Sequence, residues 1–233
     1  MFSRSVVLAY RAVAPTGDGG QIVAADAFRR QVETLRACGY AFCRPEEYHT
    51  GGGGRRVLLT FDGGSDDTAR HAFPWLAQQR IPALVFIAPG DIRAGRVFAG
   101  RQPMTTTMVR ELARTGWLTF GCSGERRVHL ADFPTTVQEH DLRSAQQAVA
   151  ELTDLPCVWF CPPYDECTAE LAAVAQRIFR ATFMTPAARR PLPAGAAVIA
   201  RRAVTGGTGT LGFLRRLTVL EPWWQHRVRD AWQ

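Results

Sequence analysis

Residues 57–68 run Val57-Leu58-Leu59-Thr60-Phe61-Asp62-Gly63-Gly64-Ser65-Asp66-Asp67-Thr68. An apolar and β-branched run stops at an aspartate, two glycines follow, and two more acids come after them. A run without polar alternation predicts a strand covered on both faces, as in a parallel sheet. The glycines permit a sharp exit from it. Residues 66–79 then carry a helical pattern, with Pro74 expected to kink it. The stretch is therefore a βα unit with a carboxylate at the end of its strand.

The same rhythm extends in both directions. Further strands are expected at 6–10, 83–87, 118–120, 158–160, 181–183 and 198–200. Helices are expected at 26–38, 106–115, 136–152 and 168–179. In the first of these Asp26 is placed as the cap, Phe28, Val32 and Leu35 share one face, and Gly39 ends the helix. Alternating strands and helices predict an α/β fold with a parallel sheet and helices outside it. Seven or eight strands favour closure into a (β/α) barrel over an open sheet. In either architecture the site lies beyond the carboxyl ends of the strands. The residues there are Arg11, Asp62, Gly63, Cys122, Ser123, Cys161 and Tyr164.

The 233 residues are 46% hydrophobic, enough for one substantial core. The glycine run at 50–54 is too short to link two domains and is expected to be a surface loop. Residues 1–233 are thus expected to form a single domain, with an aromatic extension at about 220–233. A formal charge of +7 invites a nucleic-acid partner. The chain has no lysine, however, its arginines are scattered, and no nucleic-acid motif accompanies them. None is expected. The apolar run 6–10 is too short for a signal-peptide core, and no segment is long enough to span a bilayer, so the expected compartment is the cytoplasm. There the six cysteines, Cys38, Cys43, Cys122, Cys157, Cys161 and Cys167, are most simply thiols. No paired C-x-x-C spacing suggests a structural zinc.

The strand ends resemble those of a known family, the polysaccharide deacetylases, also called NodB-homology proteins or family-four carbohydrate esterases. LLTFDGGSDDT resembles that family's first motif, T-F-D-D-G. MVRELARTGWLTFGCSG resembles the approach to its second, H-[ST]-x-x-H, and WFCPPYDE resembles its third, R-x-P-Y. LAYRAVAP is similar to the Y-H-x-V opening of one branch, and IPALVFIAPGDI to the strand after the first motif. The similarity runs from about residue 8 to about residue 185. It implies a distorted (β/α)7-8 barrel of the NodB-homology type that removes acetyl groups from N-acetylated sugars. In such a barrel one aspartate is the general base. A second aspartate and two histidines hold a divalent metal, which polarises the acetyl carbonyl and activates water.

Several of the implied positions carry other residues. The general base matches Asp62, but the metal-binding aspartate falls on Gly63, and the two histidines fall on Ser123 and Arg127. The arginine of the third motif falls on Cys161, with Pro163 and Tyr164 retained, and the histidine of the opening motif falls on Arg11. A catalytic metal needs about three N, O or S ligands from the protein. Glycine offers none, and a protonated serine hydroxyl is a poor donor. Arginine repels a cation: two unit charges 4 Å apart at an effective dielectric near 20 cost about 4 kcal/mol, and a dication doubles that. No cofactor is therefore expected. The alternative is zinc at a relocated site, using Glu125 and His129, four residues apart, with Asp62, Asp66, Cys122 or Cys161 nearby.

Asp62 has two readings. It is a general acid or base, or a group that binds sugar hydroxyls; or it is structural, accepting from the Gly63-Gly64 turn or pairing with Arg11 or Arg127. Cys122 and Cys161 are each a nucleophile or, more commonly, a buried inert thiol. His49, His71, His140 and His226 are expected at the surface. The segment 220–232, with Trp223, Trp224 and Trp232, is expected to cover the open side of the barrel or to meet a protein partner or a membrane interface. The functional expectation is a divergent deacetylase-like protein in which metal-dependent deacetylation is lost. It would keep a cleft for a carbohydrate or small polar ligand, anionic because of Arg11 and Arg127. The alternative is a metal-independent hydrolase, isomerase or cyclase that uses Asp62, with Tyr164 sharing proton transfer.

Overall fold

A computed structural model describes residues 5–49, 54–185 and 197–218. Along the chain come β1 (Ser5–Tyr10), β2 (Ala12–Ala14), β3 (Ile22–Ala24), α1 (Ala25–Ala37), β4 (Tyr40–Phe42) and α2 (Pro45–His49). Next are β5 (Arg55–Asp62), α3 (Asp66–His71), α4 (Phe73–Gln78), β6 (Ala83–Ile87), α5 (Pro89–Arg93), α6 (Thr106–Arg114) and β7 (Leu118–Cys122). Last are α7 (Thr135–Thr153), β8 (Trp159–Phe160), α8 (Ala169–Ile178), β9 (Ala181–Met184), β10 (Val198–Ala200), β11 (Arg202–Val204) and α9 (Thr210–Arg216).

The main sheet has the order β10-β9-β8-β7-β6-β5-β1-β11, with β4 paired to the start of β5, and its pairings are parallel. Strands β10 and β11 stand at its two ends yet are separated in the chain by Arg201 alone. One extended stretch therefore pairs with β9 through residues 198–200 and with β1 through residues 202–204. The sheet is thereby nearly closed into a barrel with the helices outside, as expected.

Alternation along each strand sorts the core into two layers. Val7, Leu58, Leu84, Phe86, Trp159, Phe183 and Ile199 fill the barrel. Leu8, Tyr10, Leu59, Phe61, Val85, Phe120 and Phe160 face outward against the helices. Phe28, Val32 and Leu35 of α1 meet that outer layer, Phe28 lying edge-on to Tyr10 at 5.1 Å. A filled interior leaves only the end of the barrel for a site.

Four local expectations change. Asp26 does not cap α1: β3 runs directly into the helix, Ala24 is the extended cap residue without a side-chain bond, and Asp26 lies in the first turn, 3.7 Å from Arg29. Pro74 breaks its helix instead of kinking it, giving α3 and α4, because proline has no N–H to continue the ladder. Strand β7 reaches Cys122, two residues beyond the expected end. The last strand continues past 200 as β11. Most of the 50–54 loop and the tryptophan-rich segment 220–232 lie outside the described residues.

Candidate active site

Asp62 is the last residue of β5, and the alternation Leu58, Thr60, Asp62 points it into the barrel end. Its side chain is 18% exposed. Its Oδ1 accepts from Arg201 Nη1 at 2.5 Å. Arg201 faces the interior from the closing stretch, two residues after inward Ile199, and its side chain is fully buried. Nη2 reaches Cys161 Sγ at 3.1 Å and Asp165 Oδ1 at 3.2 Å, while Nη1 also approaches Thr60 Oγ1 at 3.4 Å. The guanidinium lies 5.5 Å from the centre of the Phe86 ring. Burial alone would push Arg201 down, but Asp62 and then its other neighbours outweigh that and raise it. It is thus a permanent cation with two carboxylates as counter-ions.

Beyond Asp62 the chain turns through Gly63 and Gly64 in the left-handed region, with φ of 87° and 58°. Gly63 N–H donates to Phe86 O at 2.8 Å. Ser65 then caps α3, accepting from Thr68 N–H, and Asp66 pairs with Arg70 at 2.7 Å. Asp66 therefore sits at a helix start, paired within its own helix.

Arg127 approaches from the segment after β7. Its N–H donates to Asp91 Oδ2 at 2.9 Å, its carbonyl accepts from Tyr164 Oη at 3.2 Å, and its guanidinium lies 4.1 Å from the centre of the Phe98 ring. A Cβ on residue 63 would stand 2.4 Å from Arg127 Nη2. The guanidinium therefore occupies the place where a side chain at position 63 would begin. Burial pushes Arg127 below the ordinary arginine range, Asp62 and Asp91 pull it back up, and the charge of Arg11 pushes it down again.

These residues open onto a cleft of about 160 Å³. Of the seven strand-end candidates and Arg127, the structure brings Arg11, Asp62, Gly63 and Arg127 together on its lining. Cys161 lies beneath the floor, against Arg201, and burial pushes its thiol well up despite that cation. A thiol held in its protonated form is not a nucleophile. Ser123 is buried, its N–H donating to Ile87 O at 2.8 Å, and is not part of the lining. Tyr164 stands beside the cleft with a left-handed φ of 60° and stacks on His129 at 4.2 Å. Cys122 is a correction. Because β7 runs on to it, alternation turns it outward into the layer under the helices, where it is fully buried beside Cys157 and burial raises its thiol well above the usual value.

Sequence reasoning missed Arg201 and the segment after β6, which supplies Asp91, Arg96, Phe98 and Arg101. The strand-end rule, applied to residues 88–91 as it was to Asp62, finds Asp91. An arginine two residues after an isoleucine within an apolar strand was the signal for Arg201.

The metal implied by the resemblance does not fit these residues. Position 63 has no side chain, Ser123 is buried and off the cleft, and Arg127 places a cation where the metal's ligand would start. Among the described residues no three His, Cys, Asp or Glu side chains are grouped to hold an ion. The relocated pair is engaged with other partners. His129 Nδ1 is 2.7 Å from Glu166 Oε2, while Glu125 pairs with Arg93 and its N–H donates to Asp141 Oδ2.

The comparisons agree with this architecture. Among solved structures, IcaB from Ammonifex degensii superposes with a TM-score of 0.76 at 23% identity, over 98% of this chain and 97% of that one. The Streptococcus pyogenes deacetylase PplD in complex with acetate gives 0.80 at 18% identity, over 95% and 100%. A de-N-acetylase from Aggregatibacter actinomycetemcomitans gives 0.78 at 14%, over 92% and 100%. At these identities the likeness concerns the fold. No curated protein matches the chain by sequence. The family model for polysaccharide deacetylase matches residues 50–179, more than half of the sequence, from the glycine loop through the strand ending in Asp62 to the end of α8. The chain belongs to the polysaccharide deacetylase family.

Proposed function

We propose that this protein is a metal-independent, ligand-binding member of its family. It has lost N-deacetylation, and its cleft takes a carbohydrate or another small polar ligand, an anion by preference. The observation that carries this is the seat of Arg127: its guanidinium lies 2.4 Å from where a Cβ on residue 63 would be. A fixed cation there disfavours a dication and favours an anion. The concave surface around it, part apolar and part polar, suits a small polar ligand.

The test has two arms. Protein purified with added zinc is expected to carry far less than one equivalent by elemental analysis, and to release no acetate from N-acetylated oligosaccharides. Calorimetric titration of acidic and neutral saccharides is expected to show binding of the acidic ones. Stoichiometric zinc beside Asp62, or acetate release that depends on it, would sink the proposal. The competing idea of a metal-free enzyme needs Asp62 and Tyr164 to move protons together. The Tyr164 hydroxyl is turned to the Arg127 carbonyl, and Asp62 Oδ1 is tied to Arg201, so binding is preferred.

A further inference from the structure

The lining of the cleft carries four arginines, Arg11, Arg96, Arg101 and Arg127, against three aspartates, Asp18, Asp62 and Asp91, a net of one positive charge. Most of these groups already have partners. Asp62 pairs with Arg201, Arg96 lies 3.4 Å from Asp91, and Arg101 pairs with Asp67. Asp18 Oδ1 accepts from the Gly20 and Ile22 N–H groups at 2.8 and 2.9 Å. Two cations are left over. The guanidiniums of Arg11 and Arg127 make no ion pair or hydrogen bond with another described residue, and the charge of Arg11 acts on Arg127. Asp62 and Asp91 act on Arg127 through their charge, but each is paired with another arginine, so the guanidinium donors of Arg11 and Arg127, both on the cleft lining, are left without a partner among the described residues.

Resting on the ligand-binding reading above, we propose that this pair is a carboxylate clamp, and that the cleft takes one sugar residue bearing a single carboxylate, a hexuronate. Three considerations select that class. Guanidinium forks match the planar carboxylate with two parallel N–H donations. With Asp62 and Asp91 paired to arginines, Asp18 set against Arg11 and Arg127 leaves one net positive charge, which balances a monoanion better than a phosphate dianion. The volume of about 160 Å³ is well below the roughly 300–1,000 Å³ of sites for drug-sized ligands, and matches a ligand portion of about one ring. The aspartates then face the ring hydroxyls, which are donors.

The experiment is calorimetric titration with glucuronate, galacturonate and mannuronate, their methyl esters, glucose, glucose 6-phosphate and lactate. At least one hexuronate is expected to bind, with its ester and glucose at least about tenfold weaker, as loss of a charged hydrogen-bonded pair predicts. Arg11→Gln and Arg127→Gln are each expected to weaken that hexuronate at least about tenfold, with thermal unfolding confirming that each variant folds. Arg11→Gln carries the test by itself if Arg127→Gln does not fold. Equal binding of hexuronate and glucose overturns the clamp while the carbohydrate reading stands. Tighter binding of glucose 6-phosphate overturns the monoanion assignment. Lactate binding that depends on Arg11, with no sugar bound, supports the clamp and overturns the carbohydrate reading. Failure of every probe overturns both.

Discussion

At the scale of single residues, Gly63 and Arg127 behave as one feature. The guanidinium lies where a Cβ at 63 would stand, and the backbone there has φ of 87°, which L side chains rarely adopt. Gly63→Ala therefore carries two consequences. The left-handed backbone costs about 1–2 kcal/mol of stability, measurable by urea denaturation. The new methyl also displaces the far end of Arg127 from Phe98, which is expected to weaken anion binding. In an Arg127→Ala background the affinity effect of Gly63→Ala should vanish while the stability cost remains. If the affinity effect persists in that background, the two residues are not coupled. The sequence identified Asp62 because a carboxylate after an apolar strand is costly unless used or paired, Gly63 because it follows at the strand end, and Arg127 because the second motif of the resembled family falls on it. It did not show that the arginine fills the glycine's vacancy, since that depends on the path of the segment after β7. Cys122 failed for a simpler reason: an error of two residues in where a strand ends changes whether a residue lies in a loop or alternates into a core.

At the scale of elements, the decisive piece is the stretch that joins β10 to β11. Most of the barrel was readable from the sequence, because each strand is an apolar run between helical patterns. The closing stretch was only half readable, since Arg201 and Arg202 interrupt its apolar run and hide the fact that the extended backbone continues. That interruption delivers the buried cation. Arg201 anchors Asp62 at the floor and Asp165 in the turn that carries Tyr164, where Asp165 has a φ of 54° and also accepts from Thr185 N–H. Arg201→Met removes the counter-ion from two carboxylates at once. It is expected to cost about 3–5 kcal/mol, as breaking buried pairs does. Arg201→Lys should recover only part of this, because a compact ammonium cannot span Asp62, Cys161 and Asp165 as the planar fork does. A loss under about 1 kcal/mol for Arg201→Met, read by denaturant unfolding at pH 7, would show that the closing stretch is held by its backbone pairing alone.

At the scale of the whole molecule, composition and packing combine to give an unusual alkaline response. Burial pushes the thiols of Cys122 and Cys161 well above the usual value of 9.0 and that of Cys43 up to about 12, and it raises the Tyr10 hydroxyl above 10.0. In the unfolded chain these groups ionise near their ordinary values, so above pH 9 the folded protein holds more protons than the unfolded one. Stability then falls as pH rises, by up to about 1.4 kcal/mol per pH unit for each fully buried thiol. Below about pH 8 both states keep these protons and the groups contribute almost no slope. In most proteins lysines titrate in the same window and blur the effect, but this chain has none, and arginine stays protonated throughout. Urea denaturation at half-unit steps from pH 7.5 to 11 should therefore show little change up to about pH 8 and a decline that steepens beyond it. Cys122→Ala and Cys161→Ala should each flatten that decline, whatever they do to stability at pH 7.5. An unchanged slope in both variants would mean that neither thiol is shut away from water in the folded barrel.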